Sequence, residues 1–222
     1  MCVLVVKPDK DGKPHRAKSR IVVLGNFEDH YYAKSQRYAP VLKYSSLRLL
    51  TSQAVGDRQV LQQGDYKNAF CQAYLPQDER MVVRPPVGDP AYAKDEYWLL
   101  NKTLYGLRRS PHHWYNLFIS ILCKIHLAPF PHDPCLFTSI VGNPDGASKI
   151  ITSPPSPEKL LTSSVNTSKD TTTPVAGRAP IRVGVYVDDF IFYSTNPGEE
   201  ELFKKTLAEH INVTSWKTLT IF

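Results

Sequence analysis

The chain reads VGVYVDDFIFY over residues 183–193. Two short runs rich in β-branched and aromatic residues, which favour strands, flank an Asp-Asp pair, which favours a turn. We therefore predict a tight β-hairpin with Asp188 and Asp189 at its turn. Most acidic turns are simply solvated, but these flanking strands have the composition of strands buried on both faces. Carboxylates that emerge from a core sheet are suited to bind divalent cations.

A third carboxylate follows another apolar run. Residues 60–65 (VLQQGD) have the pattern of a strand that ends on an acid, Asp65. Three carboxylates on adjacent strands would provide ligands for two magnesium ions about 3.5–4 Å apart, as in enzymes of in-line phosphoryl transfer. Taken without the rest of the sequence, the same acids would also suit a metal-dependent nuclease.

Size and charge narrow the class of protein. The chain has 222 residues, of which 42% are hydrophobic and 11% aromatic, so it is not a disordered chain. No run approaches the roughly 18 apolar residues of a membrane span, and none resembles a secretory signal. Residues 1–50 hold ten bases and four acids, which accounts for the whole net charge of +6. That basic segment indicates a polyanionic partner, although a solubilising surface would explain the charge alone.

The four cysteines form no CxxC pair and no zinc-ligand spacing. We therefore predict four reduced, partly buried thiols in an intracellular protein. These residues are Cys2, Cys71, Cys123 and Cys135.

Residue patterns predict a hairpin near the start of the chain and several helices. The hairpin strands are residues 2–7 and 20–24, on either side of a turn rich in Asp, Gly and Pro. Ser45 or Ser46 would cap the first helix, and Pro111 would begin the second. The predicted helices cover residues 44–55, 112–127 and 197–210.

One segment differs in composition. Sixteen of the thirty residues 151–180 are Ser, Thr or Pro, and none is aromatic. Such a segment buries too little apolar surface to offset its ordering entropy. We predict a flexible, Ser/Thr/Pro-rich insertion over residues 141–180. It is preferred to a domain linker because only about forty residues follow it, too few for a comfortable second domain.

Several collinear segments carry a further signal. They are KSRIV at 18–22, YAPV at 38–41, SLRLL at 46–50, DYKNAF at 65–70, RPP at 84–86, LYGLRRSP at 104–111, DPCLF at 133–137 and YVDD at 186–189. Together they resemble the reverse transcriptase domain of copia-type LTR retrotransposons, outside residues 141–180. The chain departs from the family at Leu24, where a basic residue is usual.

The resemblance implies an α+β, right-hand polymerase fold that lacks the thumb. Its palm would be an antiparallel sheet with helices on one face. Within a reverse transcriptase domain covering residues 1–222, the fingers subdomain would be approximately 1–40 and 74–109, and the palm approximately 41–73 and 110–222. The chain would begin inside a finger strand and end where the family continues into its thumb. Such a chain is expected to hold a primer–template weakly, because phosphate contacts dominate nucleic-acid affinity.

The resemblance also implies roles for individual residues. Asp65, Asp188 and Asp189 would be the catalytic and metal-binding carboxylates. They would hold two Mg²⁺ ions, or Mn²⁺ in their place, with the backbone carbonyl of Tyr66 as an additional ligand. The residues implied to bind the nucleotide are Lys18, Arg20, Phe70, Tyr105, Gly106 and Arg108. Of these, the two finger cations would meet the triphosphate, and the Phe70 ring would exclude a 2′-hydroxyl.

Simpler alternatives exist for these residues. Lys18 and Arg20 would also suit a basic strand edge, Phe70 a core aromatic position, and residues 104–106 an ordinary turn. The implied function is RNA-directed DNA polymerase, acting on deoxynucleoside triphosphates and an RNA or DNA template with its primer. The implied setting is a polyprotein with thumb, RNase H and integrase segments, away from membranes, in a cytoplasmic virus-like particle or the nucleus. The alternative is a truncated or repurposed retroelement remnant that binds nucleic acid without catalysis.

Overall fold

The computed structural model describes residues 1–28, 31–139 and 181–219. The strands in these ranges are β1 Cys2–Pro8, β2 Pro14–Ile21, β3 Leu61–Tyr66, β4 Met81–Val83, β5 Trp98–Leu100, β6 Leu127–Phe130, β7 Asp133–Ser139, β8 Ile181–Tyr186, β9 Asp189–Ser194 and β10 Val213–Leu219. The α-helices are α1 Lys34–Arg37, α2 Tyr44–Gly56, α3 Pro90–Ala93, α4 Ser110–Lys124 and α5 Pro197–His210. The predicted insertion over 141–180 lies outside the described residues.

The chain divides into two compact units, each built from two stretches of sequence. The first unit is Met1–Tyr38 with Asn68–Trp114, and the second is Ala39–Lys67 with Tyr115–Phe222. The divisions between the units thus fall after residues 38, 67 and 114. The fingers and palm boundaries implied by the resemblance, near residues 40, 73 and 109, stay predictions. None of the helices in the described ranges is both long and apolar enough to cross a membrane.

The first unit contains the antiparallel hairpin β1–β2 and the small antiparallel sheet β4–β5. The prediction of a second hairpin strand at 20–24 is wrong, since β2 begins at Pro14 and ends at Ile21. The turn closes early because the Asp9 carboxylate accepts hydrogen bonds from the backbone N–H groups of Asp11 and Lys13, at 2.9 and 2.8 Å. Pairing therefore starts within the basic residues rather than at the β-branched run.

The second unit contains a six-stranded sheet in the order β10-β3-β9-β8-β7-β6, and every neighbouring pair is antiparallel. The hairpin predicted from residues 183–193 is confirmed as β8 and β9. β3, the strand that was predicted to end on an acid, lies between β9 and β10.

Helices pack on both faces of this sheet. Phe118 of α4 lies against Phe190 of β9, with ring centroids 6.3 Å apart. α2 covers the opposite face, because Leu50 approaches Gly184, whose pairing partner Ile191 follows Phe190 in the strand. The prediction of helices on one face is therefore wrong. The physical reason is that β8 is buried at successive positions, so both of its faces need cover.

The helix boundaries differ from the predictions at their ends. The N-cap of α2 is Lys43, without a side-chain hydrogen bond, so the predicted serine cap is wrong. α4 begins at Ser110, two residues before the predicted range of 112–127, and it ends at Lys124 because His126 adopts a positive φ of 59°. α5 covers Pro197–His210, the predicted range.

All four cysteines are free thiols, as predicted, but Cys2 is exposed, so the prediction of partial burial is wrong for that residue. Cys135 is fully buried in β7, and burial raises the pKa of its thiol to about 12. It is therefore a core residue rather than a nucleophile.

An aromatic cluster holds β3 against β9. Phe190 is 1% exposed, and its ring stacks on Tyr66 with centroids 4.8 Å apart. The other rings around Phe190, at 5.7–6.3 Å, belong to Phe118, Phe192, Phe203 and Trp216. Gly64 pairs with Phe190 across the two strands, and a Cβ atom at Gly64 would overlap the Phe190 ring. The missing side chain is therefore what admits the ring.

We expect Gly64→Ala to lower the free energy of unfolding by about 1–3 kcal/mol, because the added methyl group overpacks the aromatic cluster. Urea denaturation followed by tryptophan fluorescence measures the change. The matched control is Gly56→Ala in α2, where a Cβ atom meets nothing within 4 Å. Alanine favours helix, so the control should lose no stability. Equal stability of Gly64→Ala and the unmodified chain would contradict this account of the packing.

Candidate active site

Backbone pairing brings the three predicted acids to one end of the second unit's sheet. Asp65 lies directly opposite Asp189 across the β3–β9 ladder. The β8–β9 hairpin leaves Val187 and Asp188 as its two-residue turn. The backbone N–H of Tyr66 donates to the carbonyl oxygen of Asp188 at 3.4 Å, which links the turn to β3. The sequence placed both acids in the turn, whereas Asp189 is the first residue of β9.

The hairpin turn places a β-branched residue in an unusual conformation. Val187 has a φ of +53°, whereas Asp188 does not have a positive φ. A positive φ at the first turn position alone is typical of a type II′ turn, which prefers glycine there. The backbone at Val187 is therefore strained in order to present Asp188 beyond the strands.

The surroundings of the acids are polar. Asp65 and Asp189 are exposed and Asp188 is half-buried. The Gln63 amide nitrogen donates to Asp189 Oδ1 at 3.4 Å, and the Thr214 hydroxyl lies 3.3 Å from Asp65 Oδ2. Asp65 and Asp189 are thus exposed carboxylates with light hydrogen-bond support, whereas Oδ1 of Asp188 is buried. The carboxylate oxygens of Asp65 and Asp189 are therefore accessible as ligands.

The donor set suits a hard divalent cation. Across the described parts of the chain, no three His, Cys, Asp or Glu side chains are grouped closely enough to hold a metal ion. The three aspartates nevertheless supply oxygen donors from neighbouring backbone positions, the chemistry that Mg²⁺ prefers. Asp65 and Asp189 are exposed, so their side chains have room to turn toward a cation. The magnesium ligands, including the Tyr66 carbonyl, stay predictions.

The side chain of Tyr66 packs in the hydrophobic core rather than lying at the surface. Its ring is 4% exposed, and burial raises the pKa of its hydroxyl well above the usual value. Tyr66 therefore anchors the end of β3 directly behind Asp65.

The first unit gathers several of the predicted nucleotide-binding residues. The Arg20 guanidinium lies 5.7 Å from the centre of the Tyr105 ring, and the Phe70 ring meets Tyr105 edge-on at 5.2 Å. Lys18 is two residues from Arg20 in β2 and so shares its face. The structure thus brings Arg20 together with two aromatic rings, whereas the sequence related these residues only through the family resemblance.

Contacts within the first unit give Gly106 and Arg108 structural roles. Gly106 has a φ of +93°, and a Cβ atom there would overlap the carbonyl oxygen of Val23. Arg108 donates through Nη2 to the Asn26 carbonyl at 3.2 Å, and through its backbone N–H to Glu28 Oε2 at 3.3 Å. A role for these two residues in nucleotide binding therefore stays a prediction.

An ion-pair network next to Arg108 was not predicted. Arg109 pairs with Glu79, whose other oxygen lies 2.8 Å from His113 Nε2, and all three side chains are less than 20% exposed. The Arg109 guanidinium also lies 5.2 Å from the centre of the Tyr32 ring. Glu79 is thirty residues away in sequence, so no local pattern could have indicated the network.

Leu24, the position where the resemblance expects a cation, lies beside a cleft of about 580 Å³ within the first unit. The side chain is 44% exposed. Its neighbours in the cleft wall include the apolar Val23, Phe27 and Met81. Charged side chains, including that of Arg109, also line the wall, so Leu24 is an apolar residue in a cleft of mixed polarity.

Residues 2–164 match the family described as Reverse transcriptase (RNA-dependent DNA polymerase). The chain belongs to the reverse transcriptase family. The matched range contains Asp65 and the predicted nucleotide-binding residues, and the β8–β9 hairpin follows it in the chain.

Related proteins point to the same kind of reverse transcriptase. The chain is 32% identical over 136 residues to the retrovirus-related Pol polyprotein from transposon TNT 1-94 of Nicotiana tabacum, which is 61% of this chain and 10% of that protein. The corresponding polyproteins from transposons RE2 and RE1 of Arabidopsis thaliana are 31% and 30% identical over 135 and 138 residues. Each of these alignments covers 61% of this chain and 9% of the relative. The matched part spans about a tenth of the length of these curated relatives. The copia-type resemblance is confirmed.

We expect Val187→Gly to raise the stability of the second unit, or to leave it unchanged, because glycine adopts a positive φ without strain. The relieved strain is about 1 kcal/mol. Thermal unfolding followed by circular dichroism measures the effect. Val185→Gly is the matched control: Val185 is buried in β8, so its loss should destabilise. A Val187→Gly variant as unstable as the control would show that the turn is not strained.

Proposed function

We propose that this chain is the RNA-directed DNA polymerase domain of a copia-type retrotransposon polyprotein. The observation that carries the proposal is the register of β3 and β9, which sets Asp65 opposite Asp189 with Asp188 in the adjoining turn. In the proposed reaction the 3′-oxygen of a primer attacks the α-phosphorus of a deoxynucleoside triphosphate. The bond between the α-phosphorus and the oxygen that bridges to the β-phosphorus breaks, and pyrophosphate leaves.

The three carboxylates would together bind the metal ions at the reacting phosphate. Asp65 and Asp188 would bind two Mg²⁺ ions, or Mn²⁺, most directly, with Asp189 and the Tyr66 carbonyl as support. Ions bound there would activate the attacking oxygen and stabilise the leaving oxygen. Gln63 donates to Asp189 and so would limit the orientations of that carboxylate.

The cationic side chains of the first unit would bind the triphosphate. Fixed cations offset the charge of the β- and γ-phosphates, and Lys18 and Arg20 lie on one face of β2. Tyr105 holds Arg20 in place through its ring. Phe70 would lie under the sugar and reject a 2′-hydroxyl by steric exclusion.

We further propose that the first unit is the fingers subdomain and the second unit the palm. The palm assignment is supported by the antiparallel six-stranded sheet that carries the acids. The proposed partners are a primer on an RNA or DNA template, and the thumb, RNase H and integrase segments of a Pol polyprotein.

Asp188→Asn should reduce magnesium-dependent primer extension on an RNA template to the level of the protein-free control, because the amide loses the charge that binds the cation. Incorporation of labelled deoxynucleotide measures activity, and circular dichroism checks the fold. Glu209→Gln removes a carboxylate from the exposed end of α5 and should extend like the unmodified chain.

Extension that survives Asp188→Asn would remove the acids from the mechanism. An unmodified chain that binds primer–template and never extends it would instead favour the non-catalytic remnant.

Lys18→Gln should raise the KM for deoxynucleoside triphosphate about tenfold, with a smaller change in kcat, because a charge-assisted contact to phosphate is lost. Steady-state extension at varied nucleotide concentration measures both constants. Lys10→Gln, in the exposed β1–β2 turn, removes the same charge away from Arg20 and serves as the control. Equal KM values for the two variants would show that net charge, and not the position of Lys18, attracts the nucleotide.

A further inference from the structure

A β-bulge lies opposite Asp65 in the second unit. Across β3 and β10, Tyr66 pairs with Val213 and Asp65 pairs with Ser215, so Thr214 is an extra residue in β10. A bulge leaves its extra residue out of the ladder, increases the local twist and redirects a side chain. The irregularity thus falls next to one of the three predicted catalytic residues.

The bulge turns the Thr214 side chain toward Asp65. The Thr214 hydroxyl donates to the backbone carbonyl oxygen of Asp65 at 3.0 Å and lies 3.3 Å from its carboxylate Oδ2. A hydroxyl has one hydrogen, so it serves these two acceptors in turn or in a shared geometry. The side chain is exposed, and therefore its position depends on these contacts rather than on core packing.

We infer that Thr214 is a positioning residue for the Asp65 carboxylate. Its hydroxyl restricts rotation of the carboxylate and holds one of its oxygens, so that less reorganisation is needed when Asp65 binds a cation. This inference rests on the proposed function, in which Asp65 is a metal ligand. Groups that orient a metal ligand commonly change affinity or activity by about 10- to 100-fold when they are removed.

The bulge alone offers a competing explanation, in which Thr214 serves only the geometry of the strand and its hydroxyl has no role. The two explanations differ in the group they require. Strand geometry depends on the β-branched shape, which valine preserves, whereas positioning depends on the hydroxyl, which serine preserves.

The test compares Thr214→Val with Thr214→Ser in the full chain. Manganese binding is measured without nucleotide by the relaxation enhancement of water protons. Thr214→Val should bind Mn²⁺ about tenfold more weakly, at the lower end of the range because the site is exposed. Thr214→Ser should stay within about twofold of the unmodified chain.

Thr218→Val is the matched control. It makes the same substitution in the same strand, at an exposed position paired with Gln62 rather than with an acid. It should bind Mn²⁺ like the unmodified chain, and Asp65→Asn should lose most of the binding. In primer extension, Thr214→Val should lower kcat, leave the KM for nucleotide unchanged, and recover activity at high Mg²⁺.

Normal Mn²⁺ binding by Thr214→Val would overturn the inference, as would equal defects in the valine and serine variants. A chain in which Asp65→Asn leaves Mn²⁺ binding unchanged would overturn it as well, because Thr214 would then have no metal ligand to position. Failure of the proposed function looks different: the unmodified chain would bind Mn²⁺ in a Thr214-dependent way and still not extend a primer.

Discussion

The antiparallel pairing of β3 with β9 determines which side chains meet at the end of the central sheet. In an antiparallel ladder, directly opposed residues lie about 4.5–5.5 Å apart, and a slip of one residue would send an acid to the other face. Gly64 and Phe190 fix the register from one side, because the ring occupies the space that a Gly64 side chain would take. The next pair along the ladder is Asp65 and Asp189. The packing of an aromatic core therefore sets the position of the candidate site.

Regular strand pairing and local irregularities have different structural effects in the second unit. The hydrogen-bonded strand ladder sets the position of the backbone. Two departures from this ladder orient individual side chains. One is the turn, where Val187 takes a positive φ and carries Asp188 beyond the strands. The other is the bulge in β10, which brings Thr214 to Asp65. Strain and unpaired ladder positions both cost stability, so their location beside the acids is consistent with selection for chemistry rather than for folding.

Local sequence patterns predicted part of this structure, and long-range contacts decided the rest. Residue type and short-range spacing determine the strands around Asp188 and the helix at 197–210. The sequence therefore predicted both. The early start of β2 depends on the Asp9 side chain closing its turn, and a pattern of β-branched residues does not register that contact. The role of Thr214 depends on a partner 149 residues away. The pattern of acids by itself predicted a divalent-metal site, which would also suit a nuclease. The polymerase and nucleotide-binding roles came from the family resemblance.

The most direct test of the central claim is an anomalous-diffraction map of the chain crystallised with Mn²⁺, a primer–template and a deoxynucleotide that cannot react. We expect two manganese peaks about 3.5–4 Å apart, with carboxylate oxygens of Asp65 and Asp188 among their ligands. Peaks that lie elsewhere, or a map without manganese at these two residues, would contradict it.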